Sequence, residues 1–154
     1  AEDGIRAVER SRGLGDVYKR QITSGVILDP IKNEIFYADK NNGAYHNNQR
    51  LRVSKKTDLD ECLFGTNKDG ISKTILNCRV SGSAALDLAY VGAGKLDGYF
   101  QNNLNIWDIA SGKLIVEESG GIISPIDLSK INNIDIRASS TNINEKMLKN
   151  INKF

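Results

Sequence analysis

Residues 107–121, Trp-Asp-Ile-Ala-Ser-Gly-Lys-Leu-Ile-Val-Glu-Glu-Ser-Gly-Gly, constrain the fold of this chain more than any other stretch. They predict a helix over about 109–119 with Asp108 as its N-cap and Gly120-Gly121 as its stop. Ala110, Leu114 and Val116 give that helix a partly apolar face. Upstream, Gly82-Ser83-Ala84-Ala85-Leu86-Asp87-Leu88-Ala89 predicts a second helix over about 84–93. Ser83 is its N-cap, Leu86, Ala89, Tyr90 and Ala93 fall at helical spacing, and Gly94 ends it. A helix start carries backbone N–H groups without helical partners, and these suit an anion or a polyol hydroxyl. Asp108 adds a carboxylate that can hold a hard cation. On spacing alone both helix starts read first as caps. Capping and coordination are compatible, since one carboxylate oxygen can serve each.

The rest of the chain predicts strands. Gly25-Val26-Ile27-Leu28 ends at Asp29-Pro30, where proline removes a ladder donor. Residues 34–38 form the next strand, and Asn41-Asn42-Gly43 is turn chemistry. A strand pair, 44–46 and 50–53, turns around Asn47-Asn48, completing an antiparallel meander. Residues 58–77 read as loop with little regular structure, because Gly65, Asn67, Asp69 and Gly70 interrupt them. Strands are expected at 96–100, 122–124 and 134–138. A last helix over about 142–152 presents Ile143, Met147, Leu148 and Ile151 on one face. This order of strands and helices is α/β or α+β.

Composition excludes several classes. The length of 154 residues suffices for one domain with a real core. A formal charge of +2, with no sustained Lys/Arg run, gives no electrostatic case for nucleic acid. No apolar stretch approaches the roughly 18 residues of a membrane helix, and no signal-peptide pattern is present. The two cysteines, Cys62 and Cys78, are too few and too far apart for a disulfide framework or a zinc site. They are expected to be reduced thiols.

Residues 1–21 differ in composition from the remainder of the chain. Arg6, Arg10, Arg12 and Arg20 equal in number all later arginines, while the remainder prefers Lys, Asn and Ile. Asp16-Val17-Tyr18-Lys19-Arg20-Gln21 can be encoded by a string resembling the transposon end used in sequencing-library adapters. The segment is therefore expected to be non-native, with the natural protein cut near Ile22.

Other chemistry-bearing residues are weaker candidates. Asp58, Asp60 and Glu61 read as a solvated face or a helix start. Asp127 and Asp135 flank turns and strands. Gly92-Ala93-Gly94 ends a helix and so is no phosphate loop. His46, the single histidine, is expected to be an exposed turn residue. Ser83 lacks the flanking glycines of a nucleophile elbow. Tyr37, Tyr45, Tyr90, Tyr99, Phe100 and Trp107 read as core rather than a base-stacking platform.

Several blocks taken in order carry a resemblance. They are Gly25-Val26-Ile27-Leu28-Asp29-Pro30, Asn42-Gly43-Ala44-Tyr45-His46-Asn47, Leu51-Arg52-Val53-Ser54, the Gly82 to Val91 block, Trp107-Asp108-Ile109-Ala110 with Gly120-Gly121, and Ala138-Ser139-Ser140. Together they resemble the C-terminal half of the bacterial inositol monophosphatase family. The resemblance implies an α/β (α+β) fold, the C-terminal half of the layered αβαβα sandwich shared with fructose-bisphosphatase, over residues 22–154. It implies Mg2+-dependent hydrolysis of inositol-1-phosphate to inositol and phosphate by a complete enzyme. Asp108 would be the metal ligand and a substrate contact. Gly82, Ser83, Ala84 and Gln101 would line the substrate site, and Gln101 stands where many members have glutamate. Residues 62–78 look shorter than the family's usual strand and helix.

The family's upstream metal-binding glutamate and its Asp-Pro-x-Asp-Gly-Thr loop have no counterpart here, so no catalytic set is complete and the chain is expected to be an inactive fragment. The implied setting is cytoplasmic. The implied partner is a small phosphorylated polyol, with neither membrane nor direct nucleic acid, and the complete protein would be a homodimer. The alternatives are a phosphatase of a nucleotide 3′-phosphate, histidinol phosphate or fructose bisphosphate, or a non-catalytic transcription-associated binding protein.

Overall fold

A computed structural model describes residues 12–18, 21–67 and 77–151. Among these residues, two sheets and three helices stack in layers. Sheet 1 is an antiparallel meander of β1 (Arg12–Tyr18), β2 (Gln21–Asp29), β3 (Glu34–Asp39), β4 (Gly43–His46) and β5 (Gln49–Arg50), in that spatial order. Its tight turns use residues that tolerate positive φ: Asn47 at 43° and Asn48 at 69° join β4 to β5. β2 pairs with β1 from Arg12↔Leu28 to Tyr18↔Gln21.

Sheet 2 has the order β7-β6-β8-β10-β9, built from β6 (Leu63–Gly65), β7 (Asn77–Arg79), β8 (Gly98–Leu104), β9 (Ile122–Ile123) and β10 (Ile134–Ser139). β6 lies parallel to both β7 and β8, while β10 runs antiparallel to β8 and β9. Strands β6 and β7 correct the expectation of loop over 58–77. They are three residues each and gain their hydrogen bonds from partners distant in sequence, a signal that local pattern does not carry. A 3-10 turn, Leu59–Glu61, precedes them, capped by the Asp58 carboxylate. The remainder of the 58–77 and 62–78 expectations lies outside the described residues.

Helices α1 (Ala84–Gly92) and α2 (Ile106–Glu118) fill the space between the sheets. Toward sheet 1 they pack Ala85, Ala89, Ala110, Leu114 and Ile115 against Ile22, Ile27, Phe36 and Ala38. Toward sheet 2 they pack Ala84, Leu88, Val91, Ile109 and Val116 against Tyr99, Leu104 and Ile136. A fully buried side chain of the larger kind contributes roughly 1.5–3 kcal/mol, so these two interfaces dominate the stability of the layers. Helix α3 (Asn144–Ile151) covers the other face of sheet 2, where Ile143, Met147 and Ile151 meet Cys62, Phe64 and Phe100. Cys62 and Cys78 form no disulfide, and burial pushes the Cys62 thiol up to about 11.

His46 and Trp107 depart from their sequence-based expectations. His46 is no exposed turn residue: its ring stacks on Phe36 at 4.5 Å, and its Nε2 lies 3.5 Å from Glu34. Trp107 is not core. It is 58% exposed in the first turn of α2.

A candidate active site at two helix starts

The helix pair is set by two glycines. A Cβ on Gly112 would lie 2.6 Å from the Leu88 Cβ, and one on Gly92 would lie 2.8 Å from Ile115 Cγ2 and 3.1 Å from Ser119 Oγ. Only glycine permits so close an approach. The contacts also fix direction. Position 88 meets 112, and position 92 meets 115 and 119, so α1 and α2 run side by side and parallel. One turn back along each helix from the 88–112 contact are Ala84 and Asp108. Both N-termini therefore open at the same end of the middle layer. Parallel helix ends add their partial positive charges at one point.

At the start of α1, Ser83 is the N-cap, its hydroxyl accepting from the Leu86 N–H at 3.4 Å. The Ser83 N–H donates to Ser81 Oγ at 3.1 Å, which holds the turn. Gly82 sits at φ +83°, and a Cβ there would meet nothing within 4 Å. The loop thus exposes backbone at the helix end with open space beside it. Ala84 is buried behind it.

The start of α2 differs from the sequence expectation. The helix begins at Ile106 and its N-cap is Asn105, so Asp108 is the third helical residue. Its Oδ2 accepts from the Asn105 N–H at 3.4 Å and from Asn105 Nδ2 at 3.3 Å. This is the reaching-back half of a capping box, and Asn-x-x-Asp is the sequence signal that identifies it. Asp108 Oδ1 has no hydrogen-bond donor among the described residues, so one oxygen caps while the other is left for solvent or a ligand.

Sheet 2 supplies the floor. Tyr99 and Gln101 alternate with Phe100 along β8, which puts them on the face toward the helices. Tyr99 is fully buried, and its hydroxyl donates to Gln101 Oε1 at 2.5 Å. Burial first, then the negative charges of Asp87 and Asp108, raise the phenol well above its ordinary range. The Tyr99 ring therefore lies within electrostatic reach of acidic residues on both helices. Gln101 is half-buried and also anchored through its carbonyl, which accepts from Arg137 at 3.3 Å.

Nothing in the local sequence marks Asp87 as a site residue. It is buried under α1 against Gly65, where a Cβ would lie 3.0 Å from its carboxyl carbon. Desolvation pushes its pKa up to about 6, against a hydrogen bond from Ser81. Its Oδ2 is buried without a hydrogen-bond partner among the described residues.

The Asp108 carboxylate is a hard oxygen donor, which fits a Mg2+ ion that keeps several waters and binds through one or two carboxylates plus substrate phosphates. No group of three or more His, Cys, Asp or Glu able to hold a metal ion occurs among the described residues. Asp127 and Asp135 serve loops and a strand instead, Asp127 accepting from the Ser129 N–H and Asp135 from the Asn103 N–H.

The sequence profile of the inositol monophosphatase family matches residues 13–153. A Thermotoga maritima protein named fructose-1,6-bisphosphatase/inositol-1-monophosphatase is 37% identical over 123 residues, covering 74% of this chain and 48% of that protein. The Salmonella typhimurium Nus factor SuhB is 43% identical over 114 residues, covering 64% of this chain and 43% of that protein. The chain spans about half the length of these curated relatives. The solved structure of a Thermotoga maritima inositol monophosphatase superposes with a TM-score of 0.84 at 32% identity, covering 93% of this chain and 61% of that one. With the profile spanning nearly all of it and the layered architecture shared, the chain belongs to the inositol monophosphatase family.

Proposed function

We propose that this chain is the C-terminal part of a Mg2+-dependent phosphatase whose complete form hydrolyses inositol-1-phosphate to inositol and phosphate. The observation that carries this reading is the parallel helix pair, which sets the open start of α1 beside the Asp108 carboxylate. The likeness to relatives named inositol-1-monophosphatase supports the substrate.

Magnesium, when bound, neutralises phosphoryl charge and lowers the pKa of its water. Asp108 would hold it through Oδ1, while Oδ2 keeps the carboxylate aimed by its bonds to Asn105. The backbone of Gly82, Ser83 and Ala84 would receive the anionic or hydroxyl-bearing part of the substrate, with the helix dipole favouring negative charge there. Gln101, fixed by Tyr99, would contact the polyol ring. Hydrolysis of phosphate monoesters needs accelerations up to roughly 10²¹. One carboxylate does not supply that, so the chain by itself is expected to be inactive. The segment 1–21 as non-native sequence, a cytoplasmic setting and a homodimer when complete belong to the same proposal.

The test is a chimera that joins the N-terminal part of the Thermotoga maritima relative ahead of Ile22. Mg2+-dependent phosphate release from inositol-1-phosphate that is lost in Asp108→Asn supports the reading. Magnesium-dependent release by the 154-residue chain alone contradicts it. A substrate panel on the same chimera separates inositol-1-phosphate from nucleotide 3′-phosphate, histidinol phosphate and fructose bisphosphate. The likeness to a Nus factor favours a second reading, a transcription-associated binding role. Capture of RNA polymerase components by a chimera without phosphatase activity would select it.

A further inference from the structure

A second cavity, of about 290 Å³, opens between β3, α1 and the β6–β7 side of sheet 2. Its lining includes Glu34, Leu63, Arg79, Asp87, Tyr90 and Leu96, and none of Gly82, Ser83, Ala84, Gln101 or Asp108 takes part in it. One set of its charges is already paired. Lys95 donates to Glu34 at 2.7 Å, the Tyr90 hydroxyl donates to Glu34 at 3.2 Å, and Lys32 donates to that hydroxyl at 2.6 Å. Both lysine Nζ atoms also lie 5.0 Å from the centre of the Tyr90 ring. The other two charges are not paired. Asp87 is only 2% exposed, and its Oδ2 has no hydrogen-bond partner among the described residues. The Arg79 guanidinium has neither a hydrogen bond nor an ion pair among them. A buried acceptor left without a donor is costly, so native structures supply one from protein, water or ligand.

We propose that this cavity binds a small zwitterion, whose ammonium group pairs with Asp87 and whose carboxylate pairs with Arg79. Two unpartnered groups of opposite sign on one cavity select a ligand that carries both signs. Each contact is a charge-assisted hydrogen bond, and a guanidinium can hold a carboxylate through two. A simple anion would gain Arg79 but face the Asp87 carboxylate. A simple cation would gain Asp87 but face Arg79, Lys32 and Lys95. Leu63 and Leu96 give apolar walls for the carbon atoms between the two charged ends, and the volume suits a molecule of amino-acid size. This binding is separate from the phosphatase reading of the helix starts.

The test is a titration of the 15N-labelled chain followed by 1H–15N spectra above pH 7, where Asp87, raised to about 6, is ionised. The probes are glycine, β-alanine and γ-aminobutyrate, which carry the two charges at growing separation. Acetate and methylammonium supply each charge alone. The expected result is movement of the backbone amides of Arg79, Asp87, Tyr90 and Lys95 with at least one zwitterion, while those of residues 105–109 stay still. That zwitterion should bind roughly ten-fold tighter than either half, the scale of one charge-assisted hydrogen bond. Arg79 is exposed, so Arg79→Leu should keep the Tm and lose the preference. Asp87→Asn should lose it as well. No zwitterion binding tighter than acetate and methylammonium, or a preference unchanged in Arg79→Leu, would overturn the inference. Neither result bears on Asp108 and the helix starts, whose residues lie outside this lining.

Discussion

Helices α1 and α2 lie side by side in one direction, yet their two starts are finished by different chemistry. The start of α1 is neutral: a serine hydroxyl caps it, and a glycine at φ +83° with open space beside it comes before the cap. The start of α2 is anionic, with Asn105 and Asp108 bonded to each other across the first turn. A neutral start draws anions to its backbone N–H groups, whereas one carrying a carboxylate attracts cations. Placed together they can receive both partners of a metal–phosphate pair. The glycines that allow the close packing are thus as much a part of the proposed site as the polar residues.

The strongest way to break the comparison is to separate the helices. Gly112→Val would drive side-chain carbon into Leu88, since even a Cβ at 112 lies 2.6 Å from it. The expected loss is about 3 kcal/mol, a fall in Tm of roughly 10 °C, measured by thermal denaturation. Gly120→Ala, at φ +86° but with open space around it, should cost only about 1 kcal/mol. Equal losses for the two would remove the case for contact between the helices.

The buried carboxylate beneath α1 gives the next effect. The folded-state pKa of Asp87 is raised to about 6, so the folded chain holds the proton more tightly than the unfolded one. Its contribution is fully present below the ordinary carboxylate range and is lost as pH rises through about 6. Stability relative to Asp87→Asn should therefore fall between about pH 4 and 6, by up to about 3 kcal/mol. Urea denaturation of both proteins across that range checks it; a flat difference would contradict the burial argument.

Smaller effects separate the two caps. Ser83→Ala should lower stability by about 1 kcal/mol through loss of the bond to the Leu86 N–H. Asp108→Asn keeps an amide oxygen for Asn105 and should lower stability by less, about 0.5 kcal/mol. The order reverses for divalent ions: the serine variant should keep their binding and the aspartate variant should lose it.

Much of this fold is legible in the chain. Short apolar runs and Asn-rich turns predict the meander from β2 to β5, whereas β1 lies in the segment expected to stand outside the fold. Ser83, Gly94 and the Gly120-Gly121 stop bound both middle helices within a few residues. The start of α2 lies three residues earlier than the spacing predicts, because Asp108 reaches back to Asn105 instead of capping the helix itself. Strand β8 runs on to Leu104 through Gln101-Asn102-Asn103, a polar run that resembles loop. Pairing with β10 holds it, and Arg137 donates to Asn102 Oδ1 at 2.7 Å. Among residues of the proposed site, Gly82, Ser83 and Asp108 stand out because capping chemistry is local. Tyr99 and Asp87 do not, because their roles come from what the opposite sheet and the neighbouring helix bring within reach.

The measurement that tests the central claim most directly is paramagnetic broadening by Mn2+ of the 15N-labelled chain. Mn2+ at an oxygen of Asp108 should broaden the amides of residues 105–109 and of residues 82–84 at the same low metal concentrations, and Asp108→Asn should abolish both effects. Broadening confined to one helix start, or unchanged in Asp108→Asn, would contradict the convergence of the two helices on one metal and phosphate site.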